Sequence, residues 1–415
     1  MSVLTLCFGN CGIQLAYSFY SNIFNDNNIS DPLLSSEFNE EYKNASESMF
    51  FEKKPNQYFE PRSILVDMTE SNVGDVFSRP KNHHWGFNPN SFVFNTVEGP
   101  TNNWSYYYYI KGPEMYEDVS NRLRLEIDKI DVIINSLLII LSPSGGCAGT
   151  ACYIIEKLRA DYPKISFIIV FVRLYETKDA IQNYNTLFSM SKLHNLSECI
   201  FLLENSLLYK VSQAGPFEIN ISVDDLNQLG SKQLASIFQP VENQHFSYFL
   251  SLVLDDKYKL LKMISSPNNR KEFSLYESAP RWEAIINQTI RSMSVTSCMS
   301  LGNYIVYRGS ANENVTKLFN FEKLKTISFP KTTLEESKYS QLYQNRHFLG
   351  SKYLSVLSNS SASVNSLNNV LKLANRAFLH KAFIHHYSQY NTSSSAFQNA
   401  FSITDKIVKD YYKLE

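Results

Sequence analysis

The chain has 415 residues, 44% of them hydrophobic and 19% charged, a globular composition long enough for two or three domains. Its formal net charge is −1, so no overall field draws it to nucleic acid or to an acidic membrane surface. No apolar run approaches the roughly 20 residues of a membrane helix. Its six cysteines fit neither a zinc pattern nor a disulfide scaffold, and the N-terminus has no basic region ahead of its apolar residues, so a reducing, cytoplasmic setting is expected.

Ser2 to Phe8 reads as a short buried strand, running through Gly9-Asn10-Cys11-Gly12-Ile13-Gln14 into a helix that ends near Phe24. A βα turn of this kind offers backbone N–H groups and the positive end of a helix dipole to an anion. A dinucleotide-dependent dehydrogenase needs GxGxxG here and an acid about 20 residues later. Only Gly9 and Gly12 are present, and the first strand-terminal acid is Asp67, so that class is disfavoured. Residues 25–61 are polar and read as a long excursion. Ser63 to Asp67 is a strand ending in an acid. Carboxyl ends of strands line the ligand crevice of α/β sheets, which suits Asp67 to a bound Mg²⁺ or its waters, while an N-cap role fits equally. His83 and His84, in a polar loop at 81–99, read as surface. Asn102-Asn103-Trp104-Ser105 precedes four tyrosines, Tyr106 to Tyr109, with no basic residue among them, so a half-buried segment is favoured over base stacking. An amphipathic helix is expected over Glu117 to Ile130.

Val132 to Leu141 is an apolar β-run. It leads through Ser142-Pro143-Ser144-Gly145-Gly146-Cys147-Ala148-Gly149-Thr150 into a helical run, Ala151 to Arg159. Strand, small-residue loop and helix can hold a phosphate, because small side chains let its oxygens approach the backbone. An ordinary tight βα turn fits the same letters. Strands at Ile165–Val172 and Ser197–Leu203 alternate with helices at Asp179–Leu193 and Val223–Phe238. That alternation, to about residue 240, predicts a largely parallel sheet covered on both faces. Beyond it the pattern is mixed: Phe246 to Met263 is apolar, Tyr304 to Arg308 is strand-like, and Ser355 to Asn369 is rich in Ser and Asn. Two helices are expected at Leu371–Tyr390 and Ala396–Leu414. Cys7, Cys11, Cys147 and Cys152 lie near one crevice in this reading, and core packing is favoured for them over a metal site.

Taken together, these segments resemble the tubulin family. FGNCGIQLA is similar to its first nucleotide loop, GQCGNQIG, and ILVDMTE to VDLEP. TNNWS is similar to the ANNWA loop, and SGGCAGTACYIIEKLRADYP to the GGGTGSG signature with its helix. IQNYNTLFSMSKL resembles EPYNATLS, and FLLENSLLYKV resembles DNEALYDIC. VDDLNQLGSKQLASIFQP resembles the helix that follows, and RAFLHKAFIHHYSQY resembles RKAFLHWYTGEG. The matches are collinear, and within the family the likeness is to the delta class rather than epsilon or eta.

The resemblance implies an α/β fold in three parts. These are a doubly wound, largely parallel GTPase-like domain over 1–240 with its core helix at about 223–238, an α+β intermediate domain over 241–368, and a C-terminal helical hairpin over 369–415. It implies GTP or GDP as the ligand, with Mg²⁺ held through water by Asp67. Asn10, Cys11 and Gln14 match first-loop contacts. Asn102 and Ser142 through Thr150 match phosphate contacts, and Asn205 and Asn227 match the guanine-reading asparagines. The signature loop keeps fewer glycines than the family, with Cys147 and Ala148 in their place. Thr69 replaces a metal-side glutamate, and Val223 replaces the aromatic ring that stacks on the base. Ser247 falls nearest the acid that activates a neighbour's GTP, with Asp255 and Asp256 beyond it, so at most slow hydrolysis and a mainly structural role are expected. The implied partners are other tubulin subunits or centriolar and basal-body proteins, without nucleic acid or membrane. The implied location is the cytoskeleton at the centriole, basal body and cilium. The closing residues, Asp410 to Glu415, lack an acidic run, which predicts little salt-sensitive recruitment of basic domains there. A nucleotide-free member that uses the fold purely as a binding surface stays open beside the GTP-binding one.

Overall fold

The computed structural model describes residues 2–69, 74, 76, 84–95, 102–130, 134–173, 177–212, 221–241, 257–267, 281–294, 300–309 and 338–414. Ser247, Asp255, Asp256 and His83 lie outside the described residues. In chain order the elements are β1 (Ser2–Phe8), α1 (Gly9–Asn27), α2 (Ser36–Phe50), β2 (Phe51–Lys53), β3 (Phe59–Pro61), β4 (Ser63–Asp67) and β5 (Phe92–Phe94). Next, α3 (Trp104–Tyr106) runs through a π-turn at Tyr107–Lys111 into α4 (Gly112–Asp128). Then come β6 (Ile134–Leu141), α5 (Cys147–Asp161), β7 (Ser166–Arg173), α6 (Ala180–Leu196), β8 (Cys199–Glu204), α7 (Asn205–Ser212) and α8 (Val223–Phe238). The last are β9 (Leu260–Ser266), α9 (Trp282–Ser294), β10 (Ser300–Arg308), β11 (Lys338–Gln344), β12 (Tyr353–Ser360), α10 (Asn365–Leu379), α11 (Ile384–Ser388) and α12 (Ser394–Tyr412).

These elements form two compact units. The first comprises Met1–Tyr17, Ser48–Asn205 and Val364–Asp410. Its strands run β8-β7-β6-β1-β4-β5, every neighbouring pair parallel. β1 and β4 are buried at every position, as continuous apolar runs require in a sheet covered on both faces. This is the α/β sheet that the alternation of elements predicts. Phe8 pairs with both Val66 and Leu141, so Gly9, Asp67 and Ser142 leave three adjacent strands at one level. From β1 the chain moves outward to β4 and β5, then returns to β6 on the other side of β1. Such a reversal opens a crevice at the carboxyl edge. α10 and α12 meet where the Phe378 ring lies 5.3 Å from Phe397 and 5.4 Å from Phe401.

The second unit comprises Ser18–Glu47, Ser206–Ser363 and Tyr411–Glu415. Its strands run β11-β10-β12-β9, with β12 antiparallel to both neighbours and β11 parallel to β10. Trp282, Ile285 and Ile286 of α9 pack on Ile305, Tyr307, Leu354 and Val356. A buried polar network lies elsewhere in this unit. Asp26 receives the Arg346 guanidinium at 3.0 Å, the Leu349 amide at 2.7 Å and the Tyr42 hydroxyl at 3.0 Å. Arg308 donates to the carbonyls of Ser236, Gln239 and Pro240 at 2.7, 2.6 and 3.1 Å, satisfying the carboxyl end of α8.

Three stretches differ from their sequence reading. The polar excursion at 25–61 contains the 15-residue helix α2 and the β2-β3 hairpin. The buried stripe of α2 includes Tyr42 and Ser46, and Ser46 donates to Gln239 at 2.6 Å, so part of its inner face is polar. The Ser- and Asn-rich stretch at 355–369 holds the end of strand β12, buried throughout, a 3₁₀ turn at Ser361–Val364 and the start of α10. Its polar side chains are paired: the Ser355 hydroxyl lies 2.6 Å from that of Ser236, and Asn359 donates to the Tyr258 carbonyl at 2.7 Å. The helix expected over Leu371–Tyr390 ends at Leu379 and resumes as α11.

Candidate functional site

β6 delivers the chain to the carboxyl edge, and Ser142 to Gly146 turn it into α5. No side chain caps this helix. First-turn N–H groups have no acceptor within a helix. Here the amides of Ala148 and Gly149 fold back on the Gly145 and Gly146 carbonyls at 3.2 and 2.8 Å. The amides of Gly145, Gly146 and Cys147 meet no acceptor among the described residues, so they are the donors available to an anion at the positive end of α5. A Cβ on Gly145 would meet nothing within 4 Å, so that side of the turn is open. The other two glycines serve packing. A Cβ on Gly149 would lie 2.1 Å from the Trp104 carbonyl, and one on Gly146 would lie 2.6 Å from the Tyr107 ring. Thr150 donates to the Tyr107 carbonyl at 3.1 Å, and the Ser142 and Ser144 hydroxyls lie 3.1 Å apart. Thr150 therefore fastens α5 to the π-turn.

The turn is set from below by Asn185 of α6, a residue to which the sequence reading assigns no role. Its amide donates to the Ser144 carbonyl and to the Asn102 side-chain oxygen, both at 3.0 Å. Its oxygen accepts from the Trp104 amide at 3.2 Å and from the Tyr387 hydroxyl at 2.7 Å. One buried amide thus joins the phosphate-type turn, the Asn102 loop and α11. Asn103 is the N-cap of α3, accepting from the Ser105 and Tyr106 amides at 2.9 and 3.2 Å, and it donates to the His386 carbonyl at 2.7 Å. An asparagine directly before a helix was a legible signal for this cap. For Asn185, in mid-helix, the only signal was the Tyr184-Asn185 pair shared with the family segment EPYNATLS, which carried no role. Trp104 is stacked between Tyr108 and Phe188, with ring centroids 4.6 and 5.0 Å away.

Of the other sequence-predicted residues, Asn10, Cys11 and Gln14 lie in the first turns of α1, where Gln14 donates to Asn10 at 3.3 Å. Gly9 takes φ +71°, a conformation that favours glycine, and Cys147 packs against it. Asp67 is buried at the end of β4, and its carboxylate accepts from the Met68 amide at 2.6 Å and the Thr69 amide at 3.3 Å. It lies close enough to raise the pKa values of Cys147 and Tyr107, after burial, which is the larger cause for both. Asn205 is buried at the start of α7. Asn227 is buried in α8, within the second unit, and Val223 of the same helix is exposed. Burial pushes the Cys11 thiol up to about 12 and Cys147 well above the usual range, so both stay protonated. No group of three or more His, Cys, Asp or Glu side chains suited to a metal ion is present among the described residues.

Residues 2–213 match the Tubulin/FtsZ family, GTPase domain. The chain belongs to the tubulin family. Over 100% of both chains it is 26% identical to the "Tubulin delta chain" of Mus musculus and 26% identical to that of Canis lupus familiaris. It is 25% identical to that of Homo sapiens, again over the full length of each. It is a divergent member of that family, with the tubulin fold and a full-length similarity to tubulin delta chains.

Membership in this GTPase-domain family implies guanine-nucleotide binding, and the tubulin edge fits an anion in a particular way. Neither Asn10–Gln14 nor Ser142–Thr150 contains Lys or Arg. Phosphate at these two loops would therefore be held by amides and a helix dipole, with no cationic side chain from either loop. Among the described residues at this edge, Asp67 is a carboxylate of the same sign as phosphate. A carboxylate there could hold a hydrated Mg²⁺, which would offset phosphate charge.

Proposed function

We propose that this chain is a delta-type tubulin that holds GTP or GDP at the carboxyl edge of its parallel sheet. In this reading it serves microtubule-based structures at the centriole, basal body and cilium. The observation that supports it most is the open, uncapped start of α5, beside the β6/β1 reversal and level with Asp67. Ser142 to Thr150 and Asn102 serve the phosphates, while Asn10, Cys11 and Gln14 contribute from α1. Asp67 would hold Mg²⁺ through water, which would offset phosphate charge. Asn205 and Asn227 keep the guanine-reading role the resemblance gives them, an amide being able to donate to O6 and accept from N1–H or N2–H₂. The subunit divides functionally at about 240 and 368, and its partners are other tubulin subunits or centriolar and basal-body proteins.

Hydrolysis stimulated by a neighbouring subunit is slow or absent in this reading, because Ser247 falls nearest the position where the family has an acid. Loss of a general acid–base group costs on the order of 10²–10⁴ in rate. Nucleotide released from purified full-length protein, identified by mass spectrometry, tests the central claim. Guanine nucleotide is expected. Gly145→Asp, which sets a carboxylate on the open face, should lose it while keeping the fold. Adenine nucleotide in the wild type would refute the reading, and an empty protein would leave the fold as a binding surface alone. For hydrolysis, a rate that rises with protein concentration and is abolished by Asp255→Ala or Asp256→Ala would show that Ser247 is not the equivalent position.

A further inference from the structure

Positive charge accumulates on α10 and the turn after it, a stretch with no acid of its own. From Ser337 to Thr404 the sequence contains no Asp or Glu. Lys372, Arg376 and Lys381 are exposed, as are His380, His385 and His386, and none of the three cations is ion-paired among the described residues. Lys372, Arg376 and Leu379 are spaced i, i+4, i+7, so they share one stripe of α10, while Leu367, Val370 and Ala374 bury the opposite one. Like charges four residues apart weaken a helix. The dipole favours Arg376, in the last turn, but Lys372 lies further back and Lys381 lies beyond the helix.

The turn itself is held in a backbone state that L-residues avoid. The Lys381 amide bonds the Phe378 carbonyl at 2.9 Å and the Ala382 amide bonds that of Ala377 at 3.0 Å, the paired contacts of a helix end that normally uses glycine. Here Lys381 takes φ 54° and Phe383 takes φ 57°. The result presents Leu379, 73% exposed, and Phe383, 45% exposed, amid the cations. The left-handed turn brings the Ala382 carbonyl to the Tyr184 hydroxyl at 3.2 Å and sets α11 against Asn103 and Asn185, whereas the charge stripe has no ion-pair partner among the described residues.

We infer that the α10–α11 tip is a docking surface for an acidic partner segment carrying a large apolar side chain. Carboxylates of the partner pair with Lys372, Arg376 and Lys381, and its apolar side chain covers Leu379 and Phe383. Three cations are fewer than the roughly 6–10 phosphate contacts of a strong duplex binder. They also fall short of the cluster of about 4–8 Lys or Arg in a basic membrane-binding segment. A protein segment, with fewer charges and an apolar anchor, matches both the charge and the exposed rings.

Fluorescence anisotropy on the full-length protein tests this with two labelled synthetic peptides, one Glu-rich with a Phe and a Leu, the other with every Glu replaced by Lys. The Glu-rich peptide is expected to bind at low ionic strength and weaken with salt, and the Lys-rich one to stay free. Lys372→Glu, Arg376→Glu and Lys381→Glu together should weaken binding at least about tenfold. Phe383→Gly, which suits the left-handed backbone and so keeps the fold, should weaken it about fivefold. Equal binding of both peptides, or no effect of the triple variant at unchanged melting temperature, overturns the assignment. So does co-sedimentation with phosphatidylserine vesicles in the absence of peptide binding.

Discussion

Asn185 is fully buried, and its side chain bonds Trp104, Ser144, Asn102 and Tyr387. Asn185→Ala deletes all of these contacts. A neutral hydrogen bond contributes about 1 kcal/mol net, and a buried group left without a partner costs about 1–3 kcal/mol. The Trp104 amide and the Ser144 carbonyl are left so, while the Tyr387 hydroxyl keeps the Ile181 carbonyl at 3.2 Å, giving a loss of about 3–6 kcal/mol. At about 2 °C per kcal/mol for a chain of this size, Tm falls by roughly 6–12 °C. Asn185→Asp separates the site from the fold. Aspartate still accepts from Trp104 and Tyr387, but it cannot donate to Ser144 or Asn102, and it sets a negative charge beneath the turn. Its GTP affinity should drop about 30–100-fold, the equivalent of roughly 2–3 kcal/mol, with a smaller change in Tm than Ala produces. Scanning fluorimetry reads the first quantity and titration with a fluorescent GTP analogue the second. An Asn185→Asp protein that binds GTP as tightly as the wild type would refute the idea that this residue sets the turn.

The two roles of glycine in the signature loop should separate. Gly149→Ala drives a Cβ into the Trp104 carbonyl and should cost about 2–3 kcal/mol in urea unfolding, whereas Gly145→Ala, facing open space, should stay within about 0.5 kcal/mol. Arg346→Met strands the buried Asp26 carboxylate and should cost about 3–5 kcal/mol, with Asp26→Leu in the same chain restoring part of it in denaturant melts. Burial alone would raise the Asp31 carboxyl, but the His347 and Leu33 amides, followed by the His347 ring, outweigh it and hold it below the usual value. A depressed folded-state value means stability that is present above the unfolded value of about 4 and lost as pH falls through the folded one. Asp31→Asn should therefore flatten that acid limb in a pH series of thermal melts and change little of the slope near neutrality.

Much of the first unit was legible because its strands are continuous apolar runs ending in small or acidic residues. Phe8, Asp67 and Leu141 mark three carboxyl ends that the structure places side by side. Polar positions inside buried elements hid the rest. Ser46 and Asn359 are core residues because each is hydrogen-bonded across more than a hundred residues of chain, a pairing no local pattern carries. The glycines of the signature loop were visible, yet their division of labour was not, since the Trp104 backbone that forbids a side chain at Gly149 arrives from another segment. Asn185 escaped for the same reason: its four partner residues come from three other segments.

The spacing of those partners also governs how the chain can be made. Asp26 meets Arg346 across 320 residues, and Asn185 meets Tyr387 across 202. At about 5–20 residues per second, a ribosome leaves Asp26 without its cation for roughly 15–60 s. β1, buried at every position in the finished sheet, waits similarly for β6 to emerge. During synthesis the nascent chain therefore exposes an apolar strand, while Asp26 stays hydrated until its cation arrives. The amide that sets the phosphate turn receives its last hydrogen bond only when Tyr387 appears. In the proposed reading, a chain lacking Tyr387 should hold GTP more weakly than one in which Asn185 has all four partner residues.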